Sequence, residues 1–265
     1  MLDRDTYARL FRMATQINEY AKYSFESLTH LGDNIYHDVY QRGNGAPVLI
    51  IQELPGIGQA TLRLADKFVE QGFTVFMPHL FGPIGKVSML GNLARVFCLR
   101  KEFHLFSANK SSPIVDWLKA LCRDIKHQEA AKGVGVIGMC LTGNFAISLI
   151  GDDSVLAAVA SQPAMPLHKQ NALHMSEGEI KEVKDGIDSS APMKAYRFEL
   201  DPLSTAAKFL CIDEKLNTGG KQRVELKTLP GKGHSVLTLD FVDQAGHPTS
   251  QALDEILDYF KTQLN

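Results

Sequence analysis

The sequence predicts an α/β protein in which helices cover both faces of a mostly parallel central sheet. The apolar run 48–51 is followed by a turn, a helical pattern over 60–70 and a strand pattern over 73–77. This strand-helix-strand order is typical of a parallel sheet. Another strand pattern, 133–138, turns sharply into helix-compatible residues after Gly143. Strand patterns over 156–160, 193–198 and 223–228 follow, so the same architecture continues toward the C terminus.

The N-terminal part of the chain predicts a helix and then two strands. Apolar residues recur at helical intervals over 2–28, and residues 1–30 are interpreted as a helical N-terminal extension. Core packing is its favoured role, with docking on a second subunit left open. Strand patterns over 35–40 and 48–51 are joined by the turn Gly43-Asn44-Gly45.

The remaining helices are predicted from apolar spacing and from capping residues. The segment 82–132 has helical spacing and is longer than a crossover needs, so we expect a helical insertion. Ser176 and Glu179 have the spacing of a capping box, which predicts a short helix. Asp201-Pro202 predicts a further helix that runs through Leu210. The last helix is expected over about 250–264.

Composition and charge exclude several classes of protein. The 265 residues contain no repeat or low-complexity tract and no clear linker, so we expect one domain over 1–265. A net charge of -2 argues against nucleic-acid binding. No signal peptide or membrane-spanning segment is visible. The cysteines lack CxxC spacing, so no disulfide framework or zinc site is predicted, and a cytoplasmic location is expected; they are Cys98, Cys122, Cys140 and Cys211.

Cys140 lies at the turn between the strand 133–138 and the helix that follows. Glycines flank it in the pattern Gly138-x-Cys140-x-x-Gly143, which is close to the nucleophile elbow G-x-S-x-G. At such a turn, the helix N-terminus favours a thiolate and its N–H groups can bind an oxyanion. The alternative is a buried structural cysteine, because free cysteines are often buried and inert.

A base and an acid are available for this thiol. His234 lies in a glycine-rich loop directly after the strand 223–228, at the carboxyl edge of a parallel sheet. Asp201 follows the strand 193–198 at the same edge, although Asp before Pro is also a common helix N-cap. Glu199 is the rival acid. The order Cys140, Asp201, His234 is nucleophile, acid, base. Glu53 follows the strand 48–51 in the same way.

These residues resemble the dienelactone hydrolase family. The similar motifs are Gln52-Glu53-Leu54-x-Gly56, Gly72-Phe73-x-Val75-x-x-Pro78-His79-Leu80-Phe81-Gly82, Gly138-x-Cys140-x-Thr142-Gly143, Asp201 after its strand and Gly233-His234-Ser235. The resemblance implies an α/β-hydrolase fold with Cys140 as nucleophile, His234 as general base and then acid, and Asp201 as the group that orients the imidazole. It also implies a glutamate near the thiol, Glu53, and an oxyanion hole from the N–H groups of Leu54 and Leu141. No metal or cofactor is implied.

The sequence departs from the family where substrate is bound. Family members that cleave dienelactone use arginines for the substrate carboxylate, one of them shortly after the catalytic histidine. None of the residues 235–239 is basic. Candidate substrate-binding residues are therefore Arg95 and Arg100 of the insertion 82–132, a possible flap, together with His79, which stands where the family often has Asp.

The function predicted from these motifs is hydrolysis of a small carboxylic ester or lactone through a thioester acyl-enzyme. Two alternatives keep the fold. The first is a thiol redox sensor or a binding module without hydrolytic activity, and the second is an acyltransferase or thioesterase that uses the same three residues. The sequence leaves open the natural substrate, the oligomeric state and the role of residues 1–30.

Overall fold

A computed structural model describes residues 16–54, 56–82, 84, 112–166 and 169–265. Eight strands form one sheet; they are β1 Ala21–Leu28, β2 Asn34–Arg42, β3 Ala46–Ile51, β4 Phe73–Pro78, β5 Val134–Met139, β6 Val155–Ser161, β7 Met193–Phe198 and β8 Val224–Leu229. Their spatial order is β1-β2-β4-β3-β5-β6-β7-β8. The two pairings made by β2 are antiparallel, and all the others are parallel. The predicted mostly parallel sheet is confirmed.

Helices cover both faces of this sheet, as expected. They are α1 Gln59–Glu70, α2 Pro113–Gln128, α3 Gly143–Leu149, α4 Glu177–Ser189, α5 Ala206–Leu216 and α6 Pro248–Leu264. Helices α1 and α6 contribute to the hydrophobic core on one face, and α2, α3, α4 and α5 to the core on the other. Strand β3 supplies both cores, because Leu49 and Ile51 point one way and Val48 and Ile50 the other.

The strands predicted over 35–40 and 48–51 form, but they do not pair with each other. Strand β4 lies between them and pairs antiparallel with β2 and parallel with β3. The turn therefore crosses the start of β4. A Cβ at Gly43, whose φ is 112°, would lie 2.1 Å from the carbonyl oxygen of Phe73, so the crossing requires glycine there.

The helix predicted over 2–28 is wrong for residues 21–28, which form the edge strand β1. Its side chains alternate in burial, and Tyr23 and Phe25 pack on the core that contains α2. The aromatic residues at 23 and 25 thus follow a period of two, the spacing of a half-buried strand. The first 15 residues lie outside the described part of the chain.

The expected helical insertion 82–132 lies only partly within the described residues. Helix α2 lies within 82–132, and its buried face includes Trp117 and Leu121. Residues 85–111 fall outside the described ranges, and with them Arg95 and Arg100.

None of the helices that the structure describes is long and apolar enough to cross a membrane.

Candidate active site

The elbow at Cys140 has the strained backbone that the glycine spacing predicts. Cys140 has a φ of 57°, and the residue is 6% exposed. A Cβ at Gly138 would lie 2.1 Å from the carbonyl oxygen of Thr142, and one at Gly143 would lie 2.9 Å from the Cα of Pro163. Both positions therefore require glycine. The backbone around Cys140 is crowded on both sides.

Thr142 fastens the elbow to the neighbouring strand. Its hydroxyl accepts a hydrogen bond from the N–H of Met139 at 2.9 Å and lies 3.2 Å from the carbonyl oxygen of Ile51, to which it can donate. This side chain is fully buried. The left-handed conformation at Cys140 costs about 1–3 kcal/mol in general and persists only where surrounding contacts impose it. The hydroxyl of Thr142 supplies such contacts.

The parallel strands bring the candidate residues to one edge of the sheet. Strands β3, β5, β6, β7 and β8 all end there, and the residues that follow them are, in strand order, Glu53, Cys140, Gln162, Asp201 and His234. Ligand and active sites of open α/β sheets lie at this carboxyl edge. The topology thus gathers residues that are far apart in the chain, as the hydrogen bond from Ser235 to Glu53 illustrates across 182 positions.

His234 and Asp201 are joined by a hydrogen bond. The Nδ1 atom of His234 lies 2.9 Å from Oδ2 and 3.0 Å from Oδ1 of Asp201. The carboxylate is completely buried, and the imidazole is 19% exposed. Glu199, the rival acid, is exposed. Asp201 is therefore the acid that contacts the imidazole.

The expected helix start at Asp201 is wrong. Helix α5 begins five residues later, with Thr205 as its N-cap residue. The Oδ1 atom of Asp201 instead accepts hydrogen bonds from the N–H groups of Leu203 at 2.8 Å and Ser204 at 2.9 Å. The side chain closes a local turn of the kind common for aspartate. This turn also holds the carboxylate in place for His234.

The second ring nitrogen of His234 is directed to the thiol side of the site. Its Nε2 atom is buried and has no hydrogen bond of regular geometry within the described ranges. Burial by itself lowers the pKa of His234, but the interactions with Asp201 and with the Cys140 sulfur raise it to about 10. An imidazolium is therefore favoured while both partners carry negative charge.

Glu53 is buried among donors from two other loops. Its Oε2 atom accepts hydrogen bonds from Gln162 at 3.0 Å and Ser235 at 3.1 Å, and its Oε1 atom accepts one from Thr238. Burial raises the pKa of this carboxyl, and the hydrogen bonds and the nearby His234 only partly oppose that effect. Its contacts tie the end of β3 to the segment after His234. Proximity to the thiol stays a prediction.

The two expected oxyanion-hole residues lie at corresponding positions of adjacent strands. Ile51 pairs with Gly138, and Leu54 and Leu141 each follow three residues later. Leu141 belongs to the short 3-10 helix Cys140–Thr142, where the first N–H groups of a helix have no partner within it. The register thus brings both amides to the edge at which Cys140 lies.

His79 has contacts of its own. Its Nε2 atom hydrogen-bonds the carbonyl oxygen of Gly82, and its ring lies edge-on to that of Tyr40, with 6.4 Å between centroids. Burial lowers the pKa of this imidazole. These contacts turn the ring toward the loop 79–82 and strand β2. Substrate binding by His79 stays a prediction.

Three buried polar residues of the site were not predicted from the sequence. Gln162 has a φ of 38° and donates to Glu53. Ser204 donates from its hydroxyl to the carbonyl oxygen of Pro163 at 2.9 Å. Arg197 donates to the carbonyl oxygens of Ser204 and Glu199, both at 2.8 Å, and so spans the turn around Asp201. The available signal was an arginine near the carboxyl end of β7, four residues before Asp201.

The loop after β6 links these residues to Cys140. The N–H of Ala164 donates to the carbonyl oxygen of Cys140 at 3.0 Å, and the N–H of Met165 donates to Asn144 at 3.0 Å. Ser204 holds Pro163 in the same loop. A continuous set of buried hydrogen bonds thus runs from Asp201 to the backbone of Cys140.

Other nucleophilic and metal-binding groups are few in the described ranges. Cys122 and Cys211 are free and buried like Cys140, and burial raises the pKa of both thiols. Within the same ranges, no group of three or more His, Cys, Asp or Glu side chains could hold a metal ion.

Comparisons with known proteins identify the family. The model of the dienelactone hydrolase family matches residues 38–264. A comparison with curated proteins finds no match. A dienelactone hydrolase from Anabaena variabilis has a TM-score of 0.60 at 13% identity, over 93% of this chain and 100% of that one. A Pyrococcus furiosus esterase has a TM-score of 0.59 at 17% identity, over 93% of this chain and 92% of that one.

A promiscuous phosphotriesterase that resembles dienelactone hydrolase, from metagenomic libraries, has a TM-score of 0.65 at 12% identity, over 92% of this chain and 100% of that one. At such identities, likeness to these structures establishes the α/β-hydrolase fold alone. The family match covers most of the chain, from within β2 to the end of α6. The chain therefore belongs to the dienelactone hydrolase family and is an ester-bond hydrolase of the α/β-hydrolase fold.

Proposed function

We propose that the protein hydrolyses small carboxylic esters or lactones with Cys140 as the nucleophile. The observation that carries this proposal is the buried hydrogen bond between His234 and Asp201 beside the strained elbow of Cys140. A thiol needs a base to act at neutral pH, and an imidazole base needs a group that orients it. In this proposal, His234 is the base and Asp201 orients it.

In the first half of the reaction, the Cys140 sulfur attacks the ester carbonyl carbon, and its proton resides on Nε2 of His234. The carbonyl oxygen becomes an oxyanion, which the N–H groups of Leu54 and Leu141 stabilise. The tetrahedral intermediate collapses to a thioester as the alkoxide leaves. That alkoxide takes the proton from Nε2, so the alcohol departs neutral and His234 is again a base.

In the second half, water replaces the alcohol. Nε2 of His234 accepts a proton from the water as its oxygen attacks the thioester carbonyl. The second tetrahedral intermediate expels the Cys140 sulfur, and the proton on Nε2 restores the resting pair as the carboxylic acid leaves. Asp201 keeps Nδ1 protonated throughout, so that Nε2 faces the reacting atoms.

We assign Glu53 to positioning rather than to proton transfer. Its carboxylate accepts hydrogen bonds from Ser235 and Thr238, both in the segment that follows His234, and from Gln162. These contacts support a fixed position of the His234 loop relative to β3. His79, Arg95 and Arg100 remain candidates for contact with the substrate. A cytoplasmic location fits a nucleophilic thiol, which has to stay reduced.

The test is a panel of nitrophenyl esters and lactones, with and without a free carboxylate. Cys140→Ala should reduce turnover to the uncatalysed rate. Rapid quenching of the wild type with a slow ester should give a covalent adduct of acyl mass on the peptide that contains Cys140. Cys122→Ala removes another buried thiol and should leave turnover unchanged. Full activity of Cys140→Ala would refute the assignment.

The same acyl adduct separates hydrolysis from acyl transfer. Added alcohols and thiols compete with water for the thioester, and the product ratio measures which acceptor the site favours. We expect the free acid to dominate at millimolar acceptor concentrations. A product that is mainly the transferred ester would identify an acyltransferase. Rapid oxidation of Cys140 with turnover at background would identify a redox sensor.

A further inference from the structure

Strand β1 forms one end of the sheet, and its outer edge pairs with no strand in the part of the chain that the structure describes. The strand runs from Ala21 to Leu28 without proline or bulge and pairs regularly with β2. Large apolar side chains at this end of the sheet are exposed, with Leu28 at 70% and Tyr36 at 68%. A long regular edge of this kind is a template for pairing with another strand.

The hydrogen-bond phase of β1 identifies which residues face outward. The N–H of Thr29 donates to the carbonyl oxygen of Asp33 at 2.9 Å, so these two residues form a hydrogen-bonded pair next to the pair of Leu28 and Asn34. Hydrogen-bonded pairs alternate along an antiparallel ladder, so odd-numbered residues of β1 direct their backbone groups to β2. The N–H and C=O groups of Lys22, Ser24 and Glu26 are therefore directed away from the sheet.

The side chains of these three residues lie together on the exposed face of the strand. Lys22 is 52% exposed, and its ammonium lies 3.0 Å from a carboxylate oxygen of Asp38. Ser24 donates to the other oxygen of Asp38 at 2.7 Å. Glu26 accepts from the amide of Asn34. The outward edge thus carries a cation, a small hydroxyl and an anion at every second residue.

This pattern is complementary to itself. We propose that a second copy of the chain adds its β1 antiparallel to this one, about a two-fold axis through Ser24. Lys22 then lies opposite Glu26 of the second copy, and Glu26 opposite Lys22 of the second copy. The outward N–H and C=O groups of Lys22, Ser24 and Glu26 pair at the same time. The two sheets become one continuous sheet.

Charge selects this register over its neighbours. An axis through Tyr23 would place Lys22 opposite Ser24, and one through Phe25 would place Glu26 opposite Ser24, so neither forms an opposite-charge pair between these residues. An axis through Lys22 or Glu26 would place the two copies of that charged residue opposite each other. Like charges directly opposite destabilise an antiparallel pair, and opposite charges stabilise it. Side chains on the other face agree with the register, because half-buried Tyr23 then lies opposite Phe25 of the second copy.

The backbone part of the proposal is tested with Ser24→Pro. Proline removes the N–H at the axis, and because that group faces outward the monomer keeps all its backbone hydrogen bonds to β2. It loses the exposed hydroxyl bond from Ser24 to Asp38. Sedimentation equilibrium of the full chain over about 1–100 μM, the range of moderate affinities, should give a dimer for the wild type and a monomer for Ser24→Pro. Far-UV circular dichroism checks that the variant is folded. A monomeric wild type, or a folded Ser24→Pro dimer, would overturn the proposal.

The charge register is tested with two reversals that complement each other. Lys22→Glu and Glu26→Lys each place like charges opposite at both contacts, so each should raise the dimer dissociation constant more than about tenfold. Mixed in equal amounts, the two variants restore both opposite-charge contacts and should form a heterodimer. Lys181→Glu, on the exposed face of α4, is the control and should dimerise like wild type. Failure of the mixture to associate would exclude this register.

Discussion

Asp201 illustrates how one side chain serves two purposes at the scale of a single residue. Its Oδ1 atom accepts from two backbone amides of its own turn, and both oxygens lie within hydrogen-bond distance of Nδ1 of His234. The amides fix the carboxylate, and the carboxylate fixes the imidazole. Orientation of the ring therefore depends on the charge and on both oxygens of Asp201.

We expect Asp201→Asn to lower kcat/KM on the order of 10²–10⁴-fold. The amide can present an N–H to Nδ1, which leaves the proton on Nε2 and removes the base. Steady-state hydrolysis of a nitrophenyl ester measures the loss. Glu199→Gln changes an exposed acid two residues earlier and is the matched control, expected near wild type. Equal losses in both variants would contradict the assignment of Asp201.

The raised pKa of His234 predicts a pH-dependent contribution to stability. The ordinary value is 6.5 and the value in the fold is about 10. Between these values, the folded state binds more protons at this site than the unfolded state, so its contribution falls as pH rises. The contribution is complete below pH 6.5 and is lost as pH increases through about 10.

Urea denaturation of wild type and His234→Gln at several pH values checks this expectation. The difference in free energy of unfolding should shrink steadily from pH 6.5 to about 10. His127→Gln, which changes an exposed histidine on α2, is the control and should show no such trend relative to wild type. A difference that grows with pH would mean that the imidazole is held neutral in the fold.

At the scale of elements, the turn between β7 and α5 positions the acid. Arg197 of β7 donates to carbonyl oxygens on both sides of Asp201, and Ser204 connects the turn to Pro163 in the loop that contacts Cys140. The Arg197 side chain is buried, and its guanidinium carbon lies 5.6 Å from the centroid of the Phe209 ring. The turn thus has fixed contacts to a strand, a helix and the elbow loop.

Ser204→Ala should lower kcat about tenfold with little change in KM. The hydroxyl bond to Pro163 is lost and a buried carbonyl is left without it, at a cost of about 1–3 kcal/mol. Asp201 and Cys140 then move more independently. The buried hydroxyl of Thr205 has no hydrogen bond within the described ranges, so Thr205→Val is the matched control. Steady-state kinetics and denaturation of both variants measure the two effects, and an unchanged kcat in Ser204→Ala would contradict the positioning role.

At the scale of the whole molecule, Trp117 is a fluorescent probe of how β1 and β2 pack against α2. It is the single tryptophan of the sequence and is fully buried. Its ring lies edge-on to Phe25 at 5.6 Å and to His37 at 5.1 Å between centroids. Tryptophan fluorescence therefore follows the separation of β1 and β2 from α2, whereas far-UV circular dichroism follows all helices and strands.

If residues 1–265 form one cooperative domain, as the sequence predicts, the two signals should change together. Urea unfolding followed by fluorescence and by circular dichroism should give one midpoint, since a two-state transition is seen identically by every probe. Trp117→Phe, followed by circular dichroism, gives the cost of removing part of this contact. A fluorescence midpoint well below that of circular dichroism would show that β1 and β2 detach first.

The sequence by itself determined the order of the elements from β2 onward and the edge of the sheet at which the candidate residues lie. Apolar runs with turns between them fix where the strands of a parallel sheet lie, and the carboxyl ends of such strands share one edge. Cys140, Asp201 and His234 could therefore be placed together from local patterns. The glycines around Cys140 could be understood in the same way, because a left-handed turn needs small neighbours.

Only the tertiary structure decided what depends on contacts between distant residues. Strand β1 has a sequence that also fits a helix, and pairing with β2 and packing on α2 select the strand. The position of β4 between β2 and β3, the donors around Glu53, and the hydrogen bond from Ser204 to Pro163 join residues far apart in the chain. Local periodicity does not identify such partners, because burial and hydrogen bonding depend on which residues the fold brings together.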